Sequence, residues 1–119
     1  MLALAGRLLI AALFIVSGIW HVTHFEITAA YFARIGLPYQ NVVAGLNVVV
    51  EIGAGLLLFV GWRLRGVAWF LAAFVLVATA LGHRFWEADP ARYFGELSNF
   101  LKNLAIIGGL LVLASRGKA

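Results

Sequence analysis

The chain has 119 residues, 64% hydrophobic and only 12% charged, with a mean hydropathy of +1.00. That balance excludes a soluble globular domain, because the sequence encodes more apolar surface than one small core can bury, and the excess must face lipid. A net charge of +4 would suit nucleic acid, but the bases gather at the ends of apolar runs rather than on one basic face, so nucleic-acid binding is excluded as well.

No cysteine is present, which removes disulfides, thiolate nucleophiles and cysteine-ligated metals from consideration. Four apolar runs follow one another. They predict an all-α integral membrane protein, a four-transmembrane-helix bundle in one domain over residues 1–119, with helices at about 4–22, 42–62, 66–83 and 97–115.

The first run carries Arg7 near its start and ends at His21. A base followed by Leu8–Val16, with Thr28-Ala29-Ala30 downstream, imitates a signal peptide. The histidines that close the run and the three further spans favour a retained helix. The connection from His24 to Gln40 is of mixed character, and Gly36-Leu37-Pro38 breaks any helix before the second span. Tyr31, Phe32 and Ile35 within it suit a short helix lying in the interface. The second run, Val42–Val60, is interrupted only by Asn47 and Glu51 and gives way to the basic turn Arg63-Leu64-Arg65-Gly66. The third run is apolar apart from Thr79 and ends at His83. A polar connection holding Glu87, Asp89, Arg92 and Glu96, with Pro90 as a breaker, leads to the fourth run, which Ser115-Arg116-Gly117-Lys118 closes.

Lys and Arg assign the sides. Arg7, Arg63, Arg65, Arg116 and Lys118 fall on the face of both termini; Arg34, Arg84 and Arg92 fall on the other, mixed with acids. The positive-inside rule therefore puts both termini in the cytoplasm. Trp20 and Trp86 on one side, with Trp62 and Trp69 on the other, fit two aromatic belts. Tyr31-Phe32 before the second span echoes Tyr93-Phe94 before the fourth, the hint of a parallel repeat.

Glu51 is the residue that composition does not explain. An ionised carboxylate at that depth costs several kcal/mol, so it must be protonated, paired, or turned to a wet cavity. Each helix adds polar residues in the same half of the membrane. Ser17, His21 and His24 share a face of the first; Asn47 and Glu51 are spaced i, i+4 on the second; Thr79 and His83 likewise on the third; Asn99, Lys102 and Asn103 line the start of the fourth. The natural pairing is Glu51 with Lys102, with Asn47, Asn103 and a histidine completing the hydrogen bonds. Each residue also has an ordinary reading. Glu51 can be a neutral partner in a helix–helix contact, Lys102 can snorkel, the histidines can cap or be solvated, and Asn99 can cap the fourth helix. Gly18, Gly53, Gly55 and Gly108-Gly109 suit close helix contacts.

Arg7-Leu8-Leu9, Phe14 and Ser17-Gly18-Ile19, then Glu51-Ile52-Gly53-Ala54-Gly55-Leu56-Leu57-Leu58, then Asn99-Phe100-Leu101-Lys102-Asn103-Leu104-Ala105 with Gly108-Gly109-Leu110-Leu111, resemble the DoxX family of small four-helix membrane proteins. The resemblance covers nearly the whole chain and rests on the order and spacing of short motifs. It implies a bundle grouped with the small subunit of thiosulfate:quinone oxidoreductase, a role near quinones, redox stress or aromatic catabolism, and Glu51, Lys102 and Asn103 as family-typical positions. With no cysteine here, any thiol step falls to a partner protein.

Four functions follow. A quinone-interacting redox subunit needs a greasy slot, hydrogen-bond donors and a titratable group. Glu51 and Lys102 would carry the chemistry, and Asn47, Asn99, Asn103, His21 and His83 would bind the ring between Trp20, Phe25, Phe85 and Trp86. No motif for flavin, haem or an iron–sulfur cluster is present, so electrons would come from a redox partner. A small proton-coupled exporter would also use one embedded acid. A metal site would draw on His21, His24, His83 and Glu51. An assembly subunit, in contact with lipid and able to form a homo-oligomer, would use the cluster only to fix helix register.

Overall fold

The computed structural model describes residues 1–116, which form five α-helices and one 3-10 turn and contain no strand. Lys118, one of the bases that assign the sides, lies outside the described residues. Four helices are long and apolar enough to cross a membrane: α1 (Leu2–Thr23), α3 (Gln40–Val60), α4 (Leu64–Gly82) and α5 (Pro90–Arg116). The short helix expected around Tyr31 is α2, Phe25–Arg34. The chain folds as two compact units that divide after Trp62.

In the N-terminal unit, α1 and α3 pair along two buried stripes, with small residues where the backbones come closest. The buried positions of α1 are Ala11, Phe14 and Gly18, and His21 continues that spacing into the last turn. On α3 they are Ala44, Val48, Glu51, Ala54, Gly55 and Leu58. Steps of three and four keep each set on one helix face, so Glu51 occupies a position where the pattern calls for an apolar residue. The backbones come close at two points. A Cβ on Gly18 would lie 2.5 Å from Ile52 Cγ1, and one on Gly55 would lie 2.9 Å from Ile15 Cγ1. Gly53 and Gly108, read from the sequence as contact residues, meet nothing within 4 Å. Gly53 is two residues from Gly55, and so points to another side of α3.

The far end of this pairing is tied by charge. Arg7 donates from Nη2 to the carbonyl of Phe59 at 3.3 Å, so a cation stands at the negative end of the α3 dipole. There α3 stops at Gly61, whose φ of 80° puts it in the left-handed region, with Trp62 N–H bonded to the Leu57 carbonyl at 3.0 Å. The start of the chain and the α3–α4 turn therefore lie at one end of this unit.

The C-terminal unit is a hairpin of α4 and α5. Val67, Ala68, Leu71, Ala72, Val75 and Thr79 form the buried stripe of α4; Leu110, Leu113 and Ala114 are buried on α5. The fourth span begins earlier than expected. Pro90 starts α5 rather than breaking it, because Asp89 Oδ1 accepts the N–H of Arg92 at 3.1 Å and proline fits the first helical position. That also overturns the capping role for Asn99, which is exposed and nine residues inside the helix. Phe85 and Trp86, in the 3-10 turn Phe85–Glu87, pack edge-to-face on Phe100 at 5.2 and 5.9 Å.

Candidate functional site

The sequence puts an acid into the buried stripe of α3, and the fold of the N-terminal unit supplies its partners. Glu51 is 7% exposed. Its Oε1 lies 2.6 Å from His21 Nδ1 and accepts a second hydrogen bond from Asn47 Nδ2 at 2.8 Å. Asn47 is one turn before Glu51 on α3, so its amide reaches the carboxylate along the helix. His21 comes across from the last turn of α1. Asn47 Nδ2 is also 3.5 Å from His21 Nδ1. That is the outer limit of a hydrogen bond, and an Nδ1 already committed to the carboxylate has no capacity for it. The three side chains are therefore one acceptor oxygen shared by two nitrogens.

Two features outside the predicted set hold this geometry. Gly18 lets Glu51 lie against the α1 backbone: a Cβ there would stand 3.2 Å from Glu51 Cβ. Thr28, 4% exposed on α2, has its one hydroxyl hydrogen within reach of the carbonyls of His21 and His24, at 3.2 and 3.0 Å, the second of which also accepts Thr28's own backbone N–H. Gly18 is legible in the sequence through its spacing from Phe14 and His21. Thr28 is not, because its role depends on how the chain turns at His24.

His24 leaves the face it was expected to share with His21. The backbone breaks there, at φ −122° and ψ 47°; its ring stacks on Trp20 at 4.2 Å, and its Nδ1 donates to the Trp20 carbonyl at 2.9 Å. Trp20 is half-exposed and lies nearly perpendicular to the His21 ring, with 5.6 Å between ring centres. Among the described residues, no group of three or more His, Asp or Glu could hold a metal ion.

The remaining predicted residues belong to the C-terminal unit. Asn103 Nδ2 donates to Thr79 Oγ1 at 3.0 Å, and Thr79, fully buried, donates to the Val75 carbonyl at 2.6 Å. His83 Nδ1 stands 3.4 Å from Glu96 Oε2, near enough for charge attraction, yet that nitrogen is buried and makes no hydrogen bond. Lys102 and Asn99 are exposed on α5, and Trp86 is half-exposed beside Phe85.

A carboxylate shared by an imidazole and an amide, inside a pair of membrane-long helices, defines a small polytopic membrane protein with an internal titratable site. The family profile of DoxX matches residues 2–84, which include the whole of that cluster. The chain is 30% identical over 116 residues to the inner membrane protein YphA of Escherichia coli (strain K12), covering 98% of this chain and 83% of the relative. It is 34% identical over 114 residues to the inner membrane protein YqjF of the same organism, covering 96% of this chain and 82% of the relative. No solved structure gives a significant match. The chain belongs to the DoxX family.

Proposed function

We propose that this DoxX-family protein is a quinone-interacting component of a redox system in the inner membrane, with both termini in the cytoplasm. The observation that carries the reading is the Glu51 carboxylate, 7% exposed in an apolar helix pair and hydrogen-bonded by His21 and Asn47. A quinone ring arrives from lipid, needs one or two hydrogen-bonding groups for its oxygens, and exchanges protons when its redox state changes. An imidazole–carboxylate pair whose imidazole is 30% exposed and whose carboxylate is 10% exposed offers both kinds of group. The electrons come from a partner protein.

The test is organic extraction of gently purified protein, assayed for quinone, beside Glu51→Gln. Stoichiometric quinone in the wild type and its loss in the variant support the reading. No quinone, and no saturable binding of added analogues, sinks it in favour of an assembly subunit or a proton-coupled exporter. The part of Lys102 is settled in the same assay: a loss in Lys102→Ala equal to that in Glu51→Gln keeps it in the site.

A further inference from the structure

Within the cluster, the residue with the deepest burial is not the one best placed to meet a ligand. The Glu51 side chain is 10% exposed and the His21 side chain 30%. Glu51 is the less exposed of the two: Gly18 backs its Cβ, and His21 and Asn47 both occupy Oε1, while Oε2 has no hydrogen bond among the described residues. His21 is tied at one ring nitrogen only. Its Nδ1 is on the carboxylate, its backbone carbonyl is held by Thr28, and among the described residues nothing bonds its Nε2.

The two nitrogens of an imidazole are not equivalent once one is fixed. With Nδ1–H on a carboxylate, the neutral ring carries its lone pair on Nε2, and a second proton, when present, also sits on Nε2. The carboxylate sets the tautomer and the ring's orientation, and the opposite nitrogen is presented. Trp20, half-exposed, lies next to the His21 ring, the two ring centres 5.6 Å apart. A polar atom near a half-exposed aromatic ring, here one already stacked on His24, suits a flat neutral ring bearing a hydroxyl or carbonyl.

We infer that His21 is the residue that touches the ligand, through Nε2, and that Glu51 and Asn47 are positioning residues behind it. The neutral ring accepts a hydrogen bond from a ligand hydroxyl; the protonated ring donates one to a ligand carbonyl. One nitrogen thus serves both oxidation states of a quinone-type ring. The ligand class rests on the function proposed above. The division of labour among the three residues rests on the geometry alone.

The experiment exploits the reach of amide side chains: asparagine places its amide where Nδ1 lies, glutamine where Nε2 lies. Full-length His21→Gln and His21→Asn, in lipid nanodiscs, are titrated with a short-chain benzoquinone and its hydroquinone by tryptophan quenching. His21→Gln is expected to bind within about threefold of wild type, and His21→Asn at least about tenfold more weakly, the value of one lost hydrogen bond. The reverse order, equal loss or no loss in either overturns the inference. A second measurement stands free of any ligand: 15N shifts of the His21 ring in wild type and Glu51→Ala. A neutral ring protonated on Nδ1, and released from that form in Glu51→Ala, supports the positioning role; a ring protonated on Nε2 overturns it. Wild-type protein that binds neither ring, while showing the Nδ1–H form, overturns the ligand class and the quinone reading together but leaves the positioning role standing.

Discussion

The two units of this protein solve one problem differently. Each pairs long apolar helices, and each places an asparagine on the second long helix, Asn47 on α3 and Asn103 on α5. One turn further on, the N-terminal unit has Glu51 where the C-terminal unit has Ile107. In the C-terminal unit the amide donates to Thr79, and the Thr79 hydroxyl in turn donates a hydrogen bond to the Val75 carbonyl. That pair is neutral and self-contained, as expected where a polar contact fixes how two helices meet. In the N-terminal unit the amide meets a carboxylate that also holds a histidine. Asparagine or glutamine in place of Glu51 would fix the helices at lower desolvation cost. The difference teaches that helix pairing alone does not explain Glu51, because the other unit pairs its helices without an acid.

The largest effect should come from forcing the α1–α3 contact apart. Gly18→Val brings a branched side chain to within 2.5 Å of Ile52 and against Glu51. It should cost about 3 kcal/mol of stability, the upper part of the overpacking range, read by unfolding in mixed micelles. A loss under about 1 kcal/mol would mean that α1 and α3 are not closely apposed.

Removing the acid comes next. Glu51→Ala leaves His21 Nδ1 and Asn47 Nδ2 without their acceptor, at a cost of about 2 kcal/mol. Glu51→Gln keeps an acceptor oxygen and should cost under about 1 kcal/mol while abolishing any proton-linked activity. In the C-terminal unit, Thr79→Ala should cost only about 0.6–1 kcal/mol, the value of a neutral interhelical hydrogen bond in a membrane. It should leave ligand binding untouched. If Thr79→Ala removed binding as completely as Glu51→Gln, the contrast between a structural pair and a functional one would collapse.

Much of this was legible in the sequence, and the exceptions have physical causes. The spans follow from apolar length, and Glu51 with Asn47 from the i, i+4 step. The partnership of Glu51 with His21 was within reach too, since Phe14, Gly18 and His21 on α1 and Val48, Glu51 and Gly55 on α3 keep matching steps. The sequence points first to Lys102 as partner, with Asn47, Asn103 and a histidine completing the hydrogen bonds, because opposite charge is visible in a sequence and helix apposition is not; within its own unit Glu51 takes His21 and Asn47. Helix ends were less legible. Pro90 has the look of a breaker in the sequence, but a proline preceded by a capping aspartate starts a helix as readily as it ends one. His24 was expected beside His21, but a single residue off helical geometry turned it back onto Trp20.

The smallest expected effect concerns the glycines that the structure leaves open. Gly55 is buried against Phe14 and Ile15, whereas Gly53 on the same helix and Gly108 on α5 meet nothing within 4 Å. Glycine in a helix interior is less favourable than alanine by about 0.5–1 kcal/mol, because it loses more backbone freedom on ordering. Gly53→Ala and Gly108→Ala should therefore leave stability unchanged or raise it by up to about 1 kcal/mol. Gly55→Ala should lower it, because its new methyl falls 2.9 Å from Ile15 and 3.2 Å from Phe14. The sign of the change, more than its size, separates a glycine that admits a neighbouring helix from one that does not. A destabilised Gly108→Ala would identify that position as a packing surface for a further helix, and so remove one of the differences drawn between the two units.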